Sequence, residues 1–85
     1  MLIDITWEDI ANGMRKESGR CPIALAMKRQ TGGGYVSVSP CTVYTYIKQV
    51  TKLYILADNA SQFVEHFDVG EIVKPQTVEI IEQVQ

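Results

Sequence analysis

Tyr35-Val36-Ser37-Val38-Ser39, Thr42-Val43-Tyr44-Thr45-Tyr46-Ile47 and Leu53-Tyr54-Ile55-Leu56-Ala57 are three runs rich in β-branched and aromatic residues, standing close together in the middle of the chain. Such side chains fit a pleated, half-buried surface, so each run predicts a strand. Pro40, between the first two, has no amide hydrogen to give to a ladder and marks a turn or a break at a sheet edge. Val36 and Val38 alternate with Tyr35, Ser37 and Ser39, and Val43, Thr45 and Ile47 alternate with Thr42, Tyr44 and Tyr46. Because side chains along a strand point to opposite faces in turn, one face is aliphatic and the other carries tyrosine and hydroxyl groups.

Outward from these strands the periodicity changes. Upstream, Leu2, Ile3 and Ile5 predict a short opening strand, and Thr6 with Asp9 three positions on reads as an N-cap in a capping box. Trp7, Ile10, Ala11 and Met14 then fall at helical spacing as an apolar stripe, and Gly13 gives the helix an early end. Ser18-Gly19-Arg20 is a turn, and Cys21-Pro22 opens a second helix, since proline at the first helical position loses no needed hydrogen bond. Ile23 to Met27 are all apolar, and Lys28 and Arg29 follow in the last turn, where cations oppose the negative end of the helix dipole. Gly32-Gly33-Gly34 is a flexible connection that also lets backbone approach a ligand closely.

Downstream, Asp58-Asn59 offers an N-cap to a helix carrying Ala60, Phe63, Val64 and Phe67, with Gly70 as its stop. Val73-Lys74-Pro75 is extended, and in Thr77 to Val84 the alternation of Val78 and Ile80 with Thr77 and Glu79 favours a closing strand, while Val78, Ile81 and Val84 also suit a helix. The order β-α-α-β-β-β-α-β predicts an α+β fold: a mainly antiparallel sheet of four to five strands, with two to three short helices packed on one face. Residues 1–85 form a single domain in this reading.

Composition narrows the class. Hydrophobic residues make up 46% and charged residues 21%, the balance of a folded chain and not of a disordered one. No apolar run approaches the roughly 18 to 20 residues of a membrane span, and Met1-Leu2-Ile3-Asp4 lacks the build of a signal peptide, so a cytoplasmic protein is expected. Cys21 and Cys41 are too few and too far apart for a zinc or redox pattern, and two reduced, partly buried thiols are expected. No metal or cofactor is implied. His66 is the only histidine, and with no Ser/His/Asp or Cys/His spacing the reading is of a protein that is not an enzyme.

Charge is unevenly spread. Between Arg15 and Lys52 lie seven of the eight cations with one acid, Glu17, and the flanks hold nine acids against Lys74, for a net charge of −2. Lys28 and Arg29 suit a helix end, and Lys48 and Lys52 suit a solvated strand connection. That leaves Arg15, Lys16 and Arg20, gathered in the loop before the second helix.

Asp9-Ile10-Ala11-Asn12-Gly13, Cys21-Pro22-Ile23-Ala24-Leu25-Ala26, and Phe63-Val64-Glu65-His66-Phe67-Asp68-Val69-Gly70 followed by Val73-Lys74-Pro75, together resemble the signature of small uncharacterised proteins from bacteriophages and prophages. The resemblance spans most of the chain and implies a phage-type origin, though no activity. The tyrosine-bearing strands and the acidic tail depart from that pattern, so a particular function belongs there.

The candidate binding residues are therefore Arg15, Lys16 and Arg20 with Tyr35, Tyr44, Tyr46 and Tyr54. Tyrosine and arginine dominate interface hot spots, which favours a host protein as partner and makes a homodimer a second outcome. By analogy with anti-CRISPR proteins, the expected role is inhibition of a bacterial defence complex in the host cell. Two alternatives use the same residues. An oligomeric sponge would hold a nucleotide ligand between the amides at Gly19-Arg20-Cys21-Pro22, the basic loop and a tyrosine ring, and a single-strand binder would combine phosphate neutralisation with stacking.

Overall fold

A computed structural model describes residues 1–83 and gives the element order the sequence predicts. The chain runs β1 (Leu2–Ile5), α1 (Trp7–Asn12), α2 (Pro22–Thr31), β2 (Tyr35–Val38), β3 (Thr42–Ile47), β4 (Val50–Leu56), α3 (Asp58–Asp68) and β5 (Gln76–Glu82). The five strands form one antiparallel sheet in the order β1-β5-β4-β3-β2, and the class is α+β. β5 enters between β1 and β4, pairing Ile3 with Val78 and Leu56 with Ile80. Val84, the last residue of the predicted closing strand, lies outside the described residues.

Alternation decides which face is covered. Ile3 and Ile5, Val78 and Ile80, Leu56, Val43, Val36 and Val38 are buried, and they pack with Ile23, Ala26 and Met27 of α2 and Ala60, Phe63 and Val64 of α3. α2 touches both edge strands, β1 and β2, so the sheet curls around it, while α3 lies against β4 and β5. At roughly 25 cal/mol per Å² of apolar surface, this one cluster is the main stabilising term.

Local chemistry explains the helix ends. Thr6 and Asp9 form the predicted capping box, each side chain accepting from the other's backbone amide at 3.2 and 2.9 Å. The Cys21 sulfur caps α2 by accepting from the Ala24 amide, Pro22 sits in its first turn, and Gly32 closes it in the left-handed region at φ 84°. Burial pushes the Cys21 thiol above its usual value, so it stays neutral in that role.

Four expectations are corrected. β4 begins at Val50, three residues before the predicted start, because Lys48 and Gln49 alone make the turn, both with positive φ. α3 is capped at Ala57 without a side-chain bond, since Asp58 is already helical and Asn59 instead bonds Thr77 and Glu79 of β5. The α1 stripe is not core: with only six residues the helix buries Ile10 in part and leaves Trp7 63% exposed. Of the two free thiols, Cys21 is buried and Cys41 is exposed in the turn after Pro40.

Candidate functional site

The face of the sheet turned away from the helices is apolar and open. Cross-strand pairing sets Tyr35 opposite Tyr46, Tyr44 opposite Leu53, and Ile55 opposite Ile81, so one surface runs across β2, β3, β4 and β5. Tyr35, Tyr44 and Tyr46 are 57%, 43% and 48% exposed, and Leu53, Ile55 and Ile81 are similarly open. The Tyr35 and Tyr44 rings meet edge to face with centroids 6.1 Å apart, an arrangement that fixes their orientation before anything binds. Monomeric proteins rarely leave a contiguous apolar surface of this kind without a partner for it.

Tyr54 differs from the other three tyrosines. Its register partner is Val43, it points to the helix side, and it is only 7% exposed. A shift of one residue along a strand reverses the face, which is why a count of tyrosines groups it with the others and the geometry separates it.

The edges of the sheet are partly occupied. On β1, the Asp4 amide donates to Gln30 Oε1 at 2.7 Å, the Leu2 carbonyl accepts from Gln30 Nε2, and the Asp4 carbonyl accepts from Arg29. On β2, the Val38 amide donates to the Ser18 carbonyl at 2.8 Å. Side chains of α2 and the loop before it therefore occupy backbone groups that would otherwise accept another strand.

The basic loop sits elsewhere. The Lys16 amide donates to Asp68 at 3.0 Å, and the Arg15 guanidinium packs over Gly70, where an added Cβ would come within 3.2 Å of Cζ. Arg20 donates to the Met14 sulfur, and the Arg20 carbonyl accepts from the Met14 amide. Among the described residues no hydrogen bond or ion pair joins Arg15, Lys16 or Arg20 to Tyr35, Tyr44 or Tyr46. Acids at the end of α3 moderate the loop's field, and the Cys21 thiol takes the Ala24 amide that a phosphate would need. Lys28 and Arg29 have specific partners beyond the helix dipole: Lys28 donates to the Gly19 carbonyl at 2.8 Å and Arg29 pairs with Asp9 at 2.9 Å.

A second open surface escaped the sequence reading. Trp7, Ile10, Phe67, Ile72 and Val73 line a cleft with Arg15 and Glu71 at its rim, and Ile72 is 93% exposed. The available signal was length, since a helix ended by Gly13 is too short to bury four stripe positions. His66 pairs with Glu71 on this exposed side, and no three His, Cys, Asp or Glu side chains among the described residues gather as a metal-binding group. No helix among them is long and apolar enough to cross a membrane.

No family model, curated protein or solved structure matches the chain.

Proposed function

We propose that this chain is a non-enzymatic binding protein of phage type, which inhibits a bacterial defence system in the manner of anti-CRISPR proteins by occupying the surface of a host protein. The observation that carries the proposal is the open sheet face bearing Tyr35, Tyr44, Tyr46, Leu53, Ile55 and Ile81. Tyrosine gives large contact area for little lost side-chain freedom, and its hydroxyl finds polar partners at the rim. The covered β1 edge and the Val38–Ser18 bond on β2 favour a partner that lies on the face over one that extends the sheet. The nucleotide and single-strand alternatives draw less support, because the basic loop lies against Asp68 and Gly70 and makes no bond to the tyrosines.

The test compares the wild type with Tyr35→Ser/Tyr44→Ser/Tyr46→Ser in capture from host lysate, inhibition of the defence complex, and solution mass. The wild type is expected to inhibit and to hold one stoichiometric component of that complex. The triple variant loses affinity by at least about 100-fold while its melting temperature stays within about 5 °C. A wild-type dimer that the variant converts to monomer, with no host protein held, overturns the reading in favour of self-association. A nucleotide that stabilises the chain by about 2.7 kcal/mol at 100 times its dissociation constant overturns it in favour of the sponge.

A further inference from the structure

On the helix side, beyond the end of α2, the β3–β4 hairpin walls a cleft of about 320 Å³, within the roughly 300 to 1,000 Å³ usual for small-molecule sites. α2 stops at Thr31, so nothing covers the far end of the hairpin there, and Val50 is half exposed although it faces the helix side. Gly34 packs against Ile47 of the cleft wall, so close that an added Cβ would come within 2.7 Å of Ile47 Cγ1.

Two hydroxyl-bearing residues, Thr45 and Tyr54, line this cleft. Thr45 is 2% exposed and Tyr54 is 7% exposed, yet neither hydroxyl has a hydrogen-bond partner among the described residues. Among the described residues no buried side-chain polar atom lacks a partner, so each of these hydroxyl oxygens keeps some accessible surface. Such oxygens can bond water or a ligand. The third hydroxyl at the wall, Thr31, is already spent on the Met27 carbonyl at 2.7 Å. Lys48 and Lys52 stand at the mouth, and the one nearby acid, Glu82, approaches Lys52 at 3.4 Å. Ile47 and Val50 supply apolar wall.

We propose that this cleft is a binding site for a small organic anion. Its phosphate or carboxylate lies between Lys48 and Lys52, accepting from the Thr45 and Tyr54 hydroxyls, while an apolar body rests on Ile47 and Val50. The two cations supply charge, the hydroxyls direction, and the aliphatic wall a preference for an organic anion over inorganic phosphate. Glu82 releases Lys52 to the ligand, since an exposed pair at that distance holds weakly. Thr45, Ile47 and Tyr54 place the site on the opposite side of the sheet from Tyr35, Tyr44 and Tyr46, and Val50 and Lys52 also border a hollow with Tyr44 and Leu53.

Phenyl phosphate titrated into isotope-labelled protein tests the proposal through amide shifts. Saturable changes are expected at Thr31, Thr45, Lys48, Lys52 and Tyr54, with inorganic phosphate binding at least about tenfold more weakly. Lys48→Gln/Lys52→Gln weakens phenyl phosphate by about tenfold or more, and Tyr54→Phe, which keeps the ring packed, by about threefold. The proposal is overturned if no saturable shift appears by about 10 mM, if the shifts fall on Tyr35, Tyr44 and Tyr46 instead, or if the lysine variant binds as the wild type does. Equal binding of inorganic phosphate refutes the organic body.

Discussion

Ile80 and Ile81 are neighbours in β5 with the same side chain, yet the first is wholly buried and the second is 48% exposed. The contrast repeats along the sheet: Val43 and Thr45 face the helices while Tyr44 and Tyr46 face outward. Strand propensity is alike on both sides, so propensity does not choose the core. The choice falls to the helices, which cover one face and leave the other with apolar residues that the fold does not need. One face holds the molecule together, and the other is free to hold something else.

The strongest way to break this comparison is to truncate both neighbours. Ile80→Ala empties volume under α3 and is expected to cost about 2–5 kcal/mol, a large part of the about 5–15 kcal/mol that holds a domain folded. Ile81→Ala leaves water on a surface that already has it, for a loss under about 1 kcal/mol. Urea denaturation of the two variants checks this. Equal losses mean that the outer face is packed in solution, by a second copy or otherwise, and that the two faces are not different in kind.

A smaller effect tests the polar side of the covered layer. Asp9 is one of two buried polar residues among those described, joined to Thr6 and Arg29 where α1 meets α2. Burial pushes its carboxyl up, but bonds from the Arg29 guanidinium and from Thr6 outweigh that and hold it below the usual range. With the folded value depressed, its contribution is full above the ordinary unfolded value of about 3.9 and fades as pH falls through the lower folded one. Asp9→Asn is therefore expected to cost about 1–2 kcal/mol at neutral pH and progressively less below about pH 4. A gap between variant and wild type that stays constant down to about pH 2.5 means the carboxylate charge adds nothing.

Much of this was legible in the sequence, for reasons that can be named. Alternation in Tyr35 to Ile47 separates the faces, and Thr6, Pro22 and Gly32 mark helix ends, because each acts through its own backbone or nearest neighbours. Tyr54 shows where such reading stops. Its face depends on register with Val43, a partner eleven residues away, and nothing local to Leu53-Tyr54-Ile55 says which of the two sets turns inward. Gln30 and Arg29 are likewise unremarkable on a helix until β1 lies beside them. Trp7 misleads in the opposite direction, since helical spacing predicts a stripe and only the brevity of α1 decides that the stripe stays open. Surface function rests on such long-range pairings, which is why fold class was easier to read than site.

The smallest expected effect sharpens the comparison by altering stability through neither face. Lys48 and Gln49 join β3 to β4 with φ of 51° and 65°, the left-handed region that two-residue hairpins of this twist require and that glycine or asparagine usually occupies. A side chain there costs about 1–2 kcal/mol, because its Cβ crowds the following carbonyl. Gln49→Gly removes that cost but makes the unfolded chain freer by about 0.4–1 kcal/mol, so the net gain is about 0.5–1 kcal/mol. Lys48 is left in place for its position at the cleft. The gain should appear as a raised urea midpoint with unchanged slope, and affinity for a partner on Tyr35, Tyr44 and Tyr46 should not move. A variant no more stable than wild type refutes strain in the turn. If partner affinity falls while stability rises, the hairpin tip itself belongs to the contact surface, and the boundary of the functional face shifts from the strands to their connection.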